Sequence, residues 1–170
     1  LPPNALSERN LPNNQTLAED LGKLGYPGFA YLRTARPPKN PAEVLLVALA
    51  KDDLEPRLAE ALPWLLLEYS DMDTKWPLDQ ARLRNLQNRL GFVVTLARNL
   101  AESSPRHRQR VQALVQLEQE LEESRLSKED SFCQASLPEP KRRWLETNRP
   151  LEAARWNLLT DWRPEHLRYV

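Results

Sequence analysis

The strongest periodic pattern in the chain is PLDQARLRNLQNRLGFVVTLARNLAE, residues 77–102. Its apolar residues recur at spacings of three and four, which places them on one face of an α-helix. They are Leu78, Ala81, Leu86, Leu90, Val93, Val94, Ala97 and Leu100. At a rise of about 1.5 Å per residue, one helix over this range would be roughly 40 Å long. The pattern therefore predicts a single long amphipathic helix.

A second helix is expected directly after it. Ser104-Pro105 is a typical helix start, and the helix is predicted to run to about Arg125. Its apolar stripe consists of Val111, Leu114, Leu117 or Glu118, and Leu121. Because the connection is so short, the two helices are expected to form an antiparallel hairpin over residues 77–125.

The composition also favours helices. The chain has 170 residues, of which 41% are hydrophobic and only four are glycine. Leucine dominates, isoleucine is absent, and β-branched residues are scarce, whereas sheets favour β-branched residues. The predicted fold is all-α: about seven helices around the long hairpin, in a helical domain spanning residues 40–170. An extended arm of residues 1–39, with at most one short helix, precedes this domain.

The arm is predicted from its turn-forming residues. Residues 1–15, LPPNALSERNLPNNQ, hold three prolines and four asparagines without periodicity. Thr16 and Glu19 match a capping box, so a short helix is expected at 16–24. Segments that set apolar residues in such a frame often become ordered only on a partner. The candidate partner-binding residues are Tyr26, Phe29, Tyr31 and Arg33. The alternative is that the arm wraps around the chain's own core.

Charge is segregated although the net charge is zero. Residues 82–110 carry seven arginines and one acid, Glu102, whereas residues 41–73 carry eight acids. The arginines are expected to pair with those acids, to bind an acidic protein, or to bind phosphates. The candidates for the last two functions are Arg82, Arg89, Arg106, Arg108 and Arg110. Zero net charge argues against non-specific nucleic-acid binding, which rests on counterion release.

The sequence predicts no enzyme. The chain has two histidines and one cysteine, and it lacks the spaced motifs of zinc sites, serine hydrolases and phosphate-binding loops. No catalytic residue, metal ligand or cofactor is therefore predicted. The lone Cys133 indicates a reducing compartment, hence a cytoplasmic location. The longest apolar run is too short to cross a bilayer, so no membrane association is expected.

Two segments carry a resemblance to a class of known proteins. They are WPLDQARLRN with LQNRLGFVVTLAR, at 76–98, and LSKEDSFCQASLPEPKRRWLETNRPLEAARWNLLTDW, at 126–162. They resemble helical antitoxin- and regulator-like proteins of bacterial toxin–antitoxin-type operons. The resemblance implies a helical body, an arm that masks a cognate toxin, and operator binding. QTLAEDLGKLGYPGF, at 15–29, is similar to the first half of a helix-turn-helix. It departs from that pattern at Pro27 and Gly28, where the recognition helix should begin.

The functional hypothesis that follows is a non-enzymatic protein-binding module. It would be antitoxin- or regulator-like, and it would act by masking a partner protein. The alternative is a nucleic-acid-binding helical module that uses the arginine-rich residues 82–110. The sequence leaves the oligomeric state open.

Overall fold

A computed structural model of the chain describes residues 11–169. These residues are mostly helical, with two strands of two residues each, and the predicted all-α class is confirmed. The α-helices are α1 Asn14–Lys23, α2 Pro41–Leu49, α3 Pro56–Glu68, α4 Lys75–Leu83, α5 Gln87–Ser103, α6 Val111–Glu123, α7 Glu139–Asn148 and α8 Leu151–Arg155. Short 3₁₀-helices span Pro27–Phe29, Pro105–Arg110 and Pro164–His166. The strands, β1 Asp130–Ser131 and β2 Leu158–Leu159, pair in parallel.

Helix α5 lies at the centre of the core. It packs against α3, α4, α6 and α8, and its residues from Gln87 to Ala97 are all buried. Trp156 packs directly on the helix backbone at Gly91, where an added Cβ would lie 2.4 Å from the indole ring. Any larger residue at this position would displace Trp156, which is itself fully buried. The glycine thus permits the chain after α6 to close over α5.

The predicted single helix over 77–102 is two helices, which corrects the prediction. Helix α4 ends at Leu83, and Asn85 adopts the left-handed conformation with φ of 58°. The Leu86 N–H donates to the carbonyl of Ala81 at 2.8 Å, and the Asn85 N–H donates to Arg82 at 3.5 Å. These two bonds form a Schellman motif, which ends helices at a left-handed residue. Leu86 directly follows the left-handed Asn85 and is buried in the core, so the apolar stripe continues across the break.

Helices α5 and α6 run antiparallel. The Gln87 side-chain amide, at the start of α5, donates to the carbonyl of Ser124 at 3.0 Å, just beyond the end of α6. Farther along, the Thr95 hydroxyl donates to Glu118 at 2.6 Å. The residues between the helices, Pro105–Arg110, form a 3₁₀-helix, so the α-helix predicted from Ser104 begins at Val111.

The described part of the predicted arm packs on the helical domain, as the alternative interpretation of the arm expected, and the division at residue 39 stays a prediction. Helix α1 packs against α2 and α3 and buries Leu17 and Leu21 in the core. It begins two residues before the predicted Thr16, with Asn13 as its cap. The burial of these apolar side chains favours the packing of this segment on its own chain. Residues 1–10, the first part of the predicted arm, lie outside the described residues.

A buried carboxylate connects three helices. Glu118 of α6 accepts hydrogen bonds from Thr95 at 2.6 Å and from Nε of Arg98 at 3.0 Å, both on α5. Nη1 of Arg155, on α8, lies 3.2 Å from the same carboxylate. The Trp156 indole N–H donates to the Thr95 hydroxyl at 2.8 Å, which completes the network. Two guanidinium groups and a hydroxyl surround the Glu118 carboxylate and offset part of the cost of burying its charge.

We predict that Glu118→Ala lowers the free energy of unfolding by about 1–3 kcal/mol, because it leaves the buried Thr95 hydroxyl without its acceptor and removes one carboxylate partner from the half-buried Arg98 and Arg155. Glu123→Ala, which removes an exposed carboxylate from the same helix, should change it by less than about 0.5 kcal/mol. Urea denaturation followed by circular dichroism measures both. Equal effects of the two substitutions would show that the network contributes nothing specific.

Candidate functional site

Arg89, a predicted nucleic-acid contact, is part of the core. Its side chain is 10% exposed, and its guanidinium donates to the carboxylate of Asp130 in β1 at 2.7 Å. The same group donates to the carbonyls of Leu49 and Lys51, at 2.8 and 3.1 Å, where α2 ends. Arg89 is therefore unavailable to phosphates, and its assignment as a nucleic-acid contact is corrected.

Two more predicted contacts cap helices. Arg82 donates to the carbonyl of Glu120 at 2.7 Å and to the hydroxyl of Ser124 at 3.0 Å, near the end of α6. Arg110 donates twice to the carbonyl of Leu66, at 3.1 and 3.2 Å, near the end of α3. Cations are favourable at helix C-termini because they satisfy unpaired carbonyls and oppose the helix dipole.

Arg106 and Arg108 are the exposed members of the predicted set. Arg106 pairs with Glu68 at 2.9 Å, although its side chain is 69% exposed. Arg108 is exposed and forms no ion pair with another described residue. Four of the five candidates thus have partners inside the molecule, and among the described residues Glu68 is the one acidic side chain of region 41–73 that pairs with them. The nucleic-acid hypothesis now rests on Arg106 and Arg108 and stays a prediction.

His107 lies between these two arginines and is buried, with 4% of its surface exposed. Its Nε2 is 3.8 Å from Glu68 Oε1, too far for a hydrogen bond, and finds no other partner in residues 11–169. Burial lowers the pKa of His107, while Glu68 acts in the opposite direction and Arg106 and Arg110 reinforce the lowering. The imidazole is therefore neutral in the folded protein at neutral pH.

This burial predicts a loss of stability in acid. The unfolded chain binds a proton at His107 near the ordinary pKa of 6.5, whereas the folded chain resists protonation until a lower pH. Stability from this group is present above 6.5 and is lost as the pH falls below it, by at most about 1.4 kcal/mol per pH unit. Urea denaturation of His107→Gln between pH 7.5 and 5.0 should give a flatter dependence than the native chain. The exposed-site variant His166→Gln should keep the native slope; a native slope in His107→Gln would contradict the assignment.

Two of the four predicted partner-binding residues are buried, which corrects their assignment. Tyr26 is 2% exposed and Phe29 is 1% exposed. The Tyr26 ring packs edge-on against Trp64 and Tyr169, with centroids 5.3 and 5.2 Å apart. Burial raises the pKa of Tyr26. Both rings face this chain's own core, as the alternative interpretation of the arm expected.

The other two, Tyr31 and Arg33, lie on the surface. The Tyr31 side chain is 64% exposed, and its hydroxyl accepts a hydrogen bond from Arg57 Nη1 at 3.3 Å. The Arg57 guanidinium also lies 5.4 Å above the centre of the Phe29 ring. Arg57 therefore contacts both the buried Phe29 ring and the Tyr31 hydroxyl, while the Tyr31 ring stays open to solvent.

A pocket of about 460 Å³ is lined in part by Ala30 and Leu32, the two sequence neighbours of Tyr31. It is lined by Gly22, Lys23, Ala30, Leu32, Arg33, Thr34 and Ala35. Gly22 explains how the pocket forms: an added Cβ there would lie 2.5 Å from the Phe29 carbonyl oxygen. The absence of a side chain lets the end of α1 approach the 3₁₀-helix so that residues 30–35 run alongside it. We call Tyr31, Arg57 and this pocket the Tyr31 face.

Sequence reasoning identified Tyr31 and Arg33 but missed Lys23 and Arg57. Lys23 sits in the last turn of α1, where a cation is ordinary. Arg57 lies in the first turn of α3, 26 positions from Tyr31. Nothing in the local sequence marks either side chain, because their proximity to Tyr31 and Arg33 arises from the packing of α1 and α3.

A second groove, of about 560 Å³, is bordered by the C-terminal segment. Trp162 and His166 form one wall, with ring centroids 5.9 Å apart, and Glu60 and Asp161 lie along it. Asp161 is paired with Lys141 at 3.2 Å, and Glu60 accepts the Arg168 N–H at 3.0 Å. Both carboxylates therefore already have partners within the chain, so the groove is a weaker candidate than the Tyr31 face.

Neither a cluster of metal ligands nor a membrane-spanning helix is found in the part of the chain that the structure describes. No three or more His, Cys, Asp or Glu residues between 11 and 169 are arranged to hold a metal ion. The helices of the same residues include none with the length and apolar character needed to cross a membrane.

Comparison with known proteins returned no match. No family model fits the chain, and no curated protein and no solved structure is similar to it at a significant level. The resemblance to antitoxin- and regulator-like proteins therefore stays a prediction.

Proposed function

We propose that the chain is a non-enzymatic protein-binding module whose partner docks on the Tyr31 face. The observation that carries the proposal is the exposed Tyr31 ring, whose hydroxyl accepts a hydrogen bond from Arg57. Tyrosine and arginine are the residue types, with tryptophan, that dominate the binding energy of protein interfaces. A tyrosine side chain has only two rotatable bonds, so it loses little conformational freedom on binding, which favours affinity.

The antitoxin-like role is retained as the finer part of this proposal. In it, the partner is a cognate toxin, and the chain neutralises the toxin by covering part of its surface. Because residues 11–39 pack on the rest of the chain, they would present a preformed surface to the toxin. The rest of the proposed mechanism is steric and needs no catalytic group.

The proposal is tested by photo-crosslinking in cells that naturally contain the protein. The photoreactive residue p-benzoylphenylalanine replaces Tyr31 in one variant and Gln112, exposed on α6, in the control. We expect one discrete adduct from position 31, because the ring there contacts the partner, and none from position 112. Mass spectrometry of the adduct identifies the partner.

Three further results are informative. The absence of an adduct at position 31, or the same pattern at both positions, would contradict a binding site at Tyr31. An adduct between two copies of the chain would replace the proposed partner with self-association. If the adduct contains a protein encoded beside this chain whose expression alone is toxic, the antitoxin-like role gains support.

A further inference from the structure

We infer that the pocket of the Tyr31 face binds one anionic group, a carboxylate or a phosphate. The inference rests on the proposed function, because the group is expected to belong to the docked partner. It adds the chemistry that the pocket recognises, which the exposed ring of Tyr31 does not specify.

The cations that line the pocket lack internal partners. Lys23 and Arg33 are exposed, and neither forms an ion pair or a side-chain hydrogen bond with any residue from 11 to 169. No acidic residue is among the lining residues. The pocket is thus a concave site with two positive charges and no negative side chain.

The neighbouring cations show the contrast. Arg36 pairs with Glu19 at 2.7 Å and with Asp20 at 3.0 Å, and Lys39 also pairs with Asp20 at 3.0 Å. The Asp20 side chain is 2% exposed, so these pairs hold the segment onto α1. The nearby acids Glu19 and Asp20 therefore pair with Arg36 and Lys39. No acidic side chain lines the pocket beside Lys23 and Arg33.

The pocket wall is also rich in hydrogen-bond donors. The backbone N–H groups of Arg33, Thr34 and Ala35 make no hydrogen bond to another described residue. The Thr34 oxygen accepts from the N–H of Arg36 at 3.2 Å, which leaves the hydroxyl proton free to donate. Carboxylates and phosphates accept several hydrogen bonds at once, preferably from charged donors. A neutral ligand would leave such a donor set largely unsatisfied.

One feature of the pocket opposes anion binding. Gly22 and Lys23 belong to the C-terminal turn of α1, where the helix dipole is negative. The Gly22 carbonyl is already occupied by the N–H of Gly25 at 3.0 Å, and the full charge of Lys23 outweighs the partial charge of the helix end. The volume of about 460 Å³ is in the range of small-ligand sites, so an anionic side chain fits with its flanking atoms.

The inference is tested by nuclear magnetic resonance of the isotope-labelled full chain. The probes are inorganic phosphate and a capped tetraglutamate peptide, each titrated at constant ionic strength set with sodium chloride. We expect saturable shifts in the amide signals of residues 22–23 and 30–35. The double substitution Lys23→Ala/Arg33→Ala should weaken binding at least tenfold, while Arg108→Ala/Lys128→Ala, which removes two exposed cations elsewhere, should change it less than twofold.

The two probes distinguish the source of the anion. Tenfold tighter binding of phosphate assigns the pocket to a phosphorylated group, and tighter binding of the peptide assigns it to acidic side chains. Shifts that do not saturate, that spread over the surface, or that persist in Lys23→Ala/Arg33→Ala would overturn the inference.

Failure of this inference is separable from failure of the proposed function. A crosslink from Tyr31 without anion binding would leave a protein-binding face that recognises its partner through the ring and not through the pocket. Anion binding without a crosslink would leave a pocket for a free anion and would contradict the proposed protein partner.

Discussion

The buried guanidinium of Arg89 joins three parts of the fold. It extends from α5 to Asp130 of β1, to the carbonyls at the end of α2, and to within 3.7 Å of the Cys133 sulfur. Removing the Arg89 guanidinium leaves the carbonyls of Leu49 and Lys51 and the Asp130 carboxylate without this donor, which we expect to cost about 3 kcal/mol. The chain after α6 is held on α5 by this contact and by Asn88, whose side chain exchanges two hydrogen bonds with the backbone of Leu126 at 2.9 Å each.

The same physical demand explains where the other arginines lie. Helices leave carbonyl groups unpaired at their C-termini, and this compact bundle brings several such ends close to α4, α5 and the 3₁₀-helix Pro105–Arg110. Arg82, Arg89 and Arg110 each donate to carbonyls at or near a helix end. The concentration of arginine in residues 82–110 is thus mainly a feature of internal construction. The exposed arginines of that region are Arg106 and Arg108, and two further exposed cations, Lys23 and Arg33, line the pocket of the Tyr31 face.

The sequence predicts the helices well and their ends and contacts less well. The start of α2 shows the kind of local signal that a sequence does carry, since the Asn40 side chain accepts from the Ala42 N–H at 2.9 Å and Pro41 occupies the first helical position. The break at Asn85 was missed because the apolar spacing continues through it, and only the left-handed backbone of that residue reveals the cap. Tyr26 and Phe29 could not be assigned to core or surface from periodicity, whereas Tyr31, two residues farther on, is exposed. Whether each of these side chains is buried or exposed depends on how α1 packs against α2 and α3, and the local sequence pattern does not reveal that packing.

Labelling of the Cys133 thiol in the native state tests the central position of Arg89 most directly. Cys133 is fully buried, and burial raises the pKa of its thiol to about 11, so Ellman's reagent should react very slowly at pH 8. In Arg89→Met the segment that carries Cys133 should open more often, and labelling should accelerate by about 100-fold, as a local loss of about 3 kcal/mol implies. Arg108→Met, which removes an exposed arginine, should leave the rate unchanged. A native labelling rate in Arg89→Met would contradict the account.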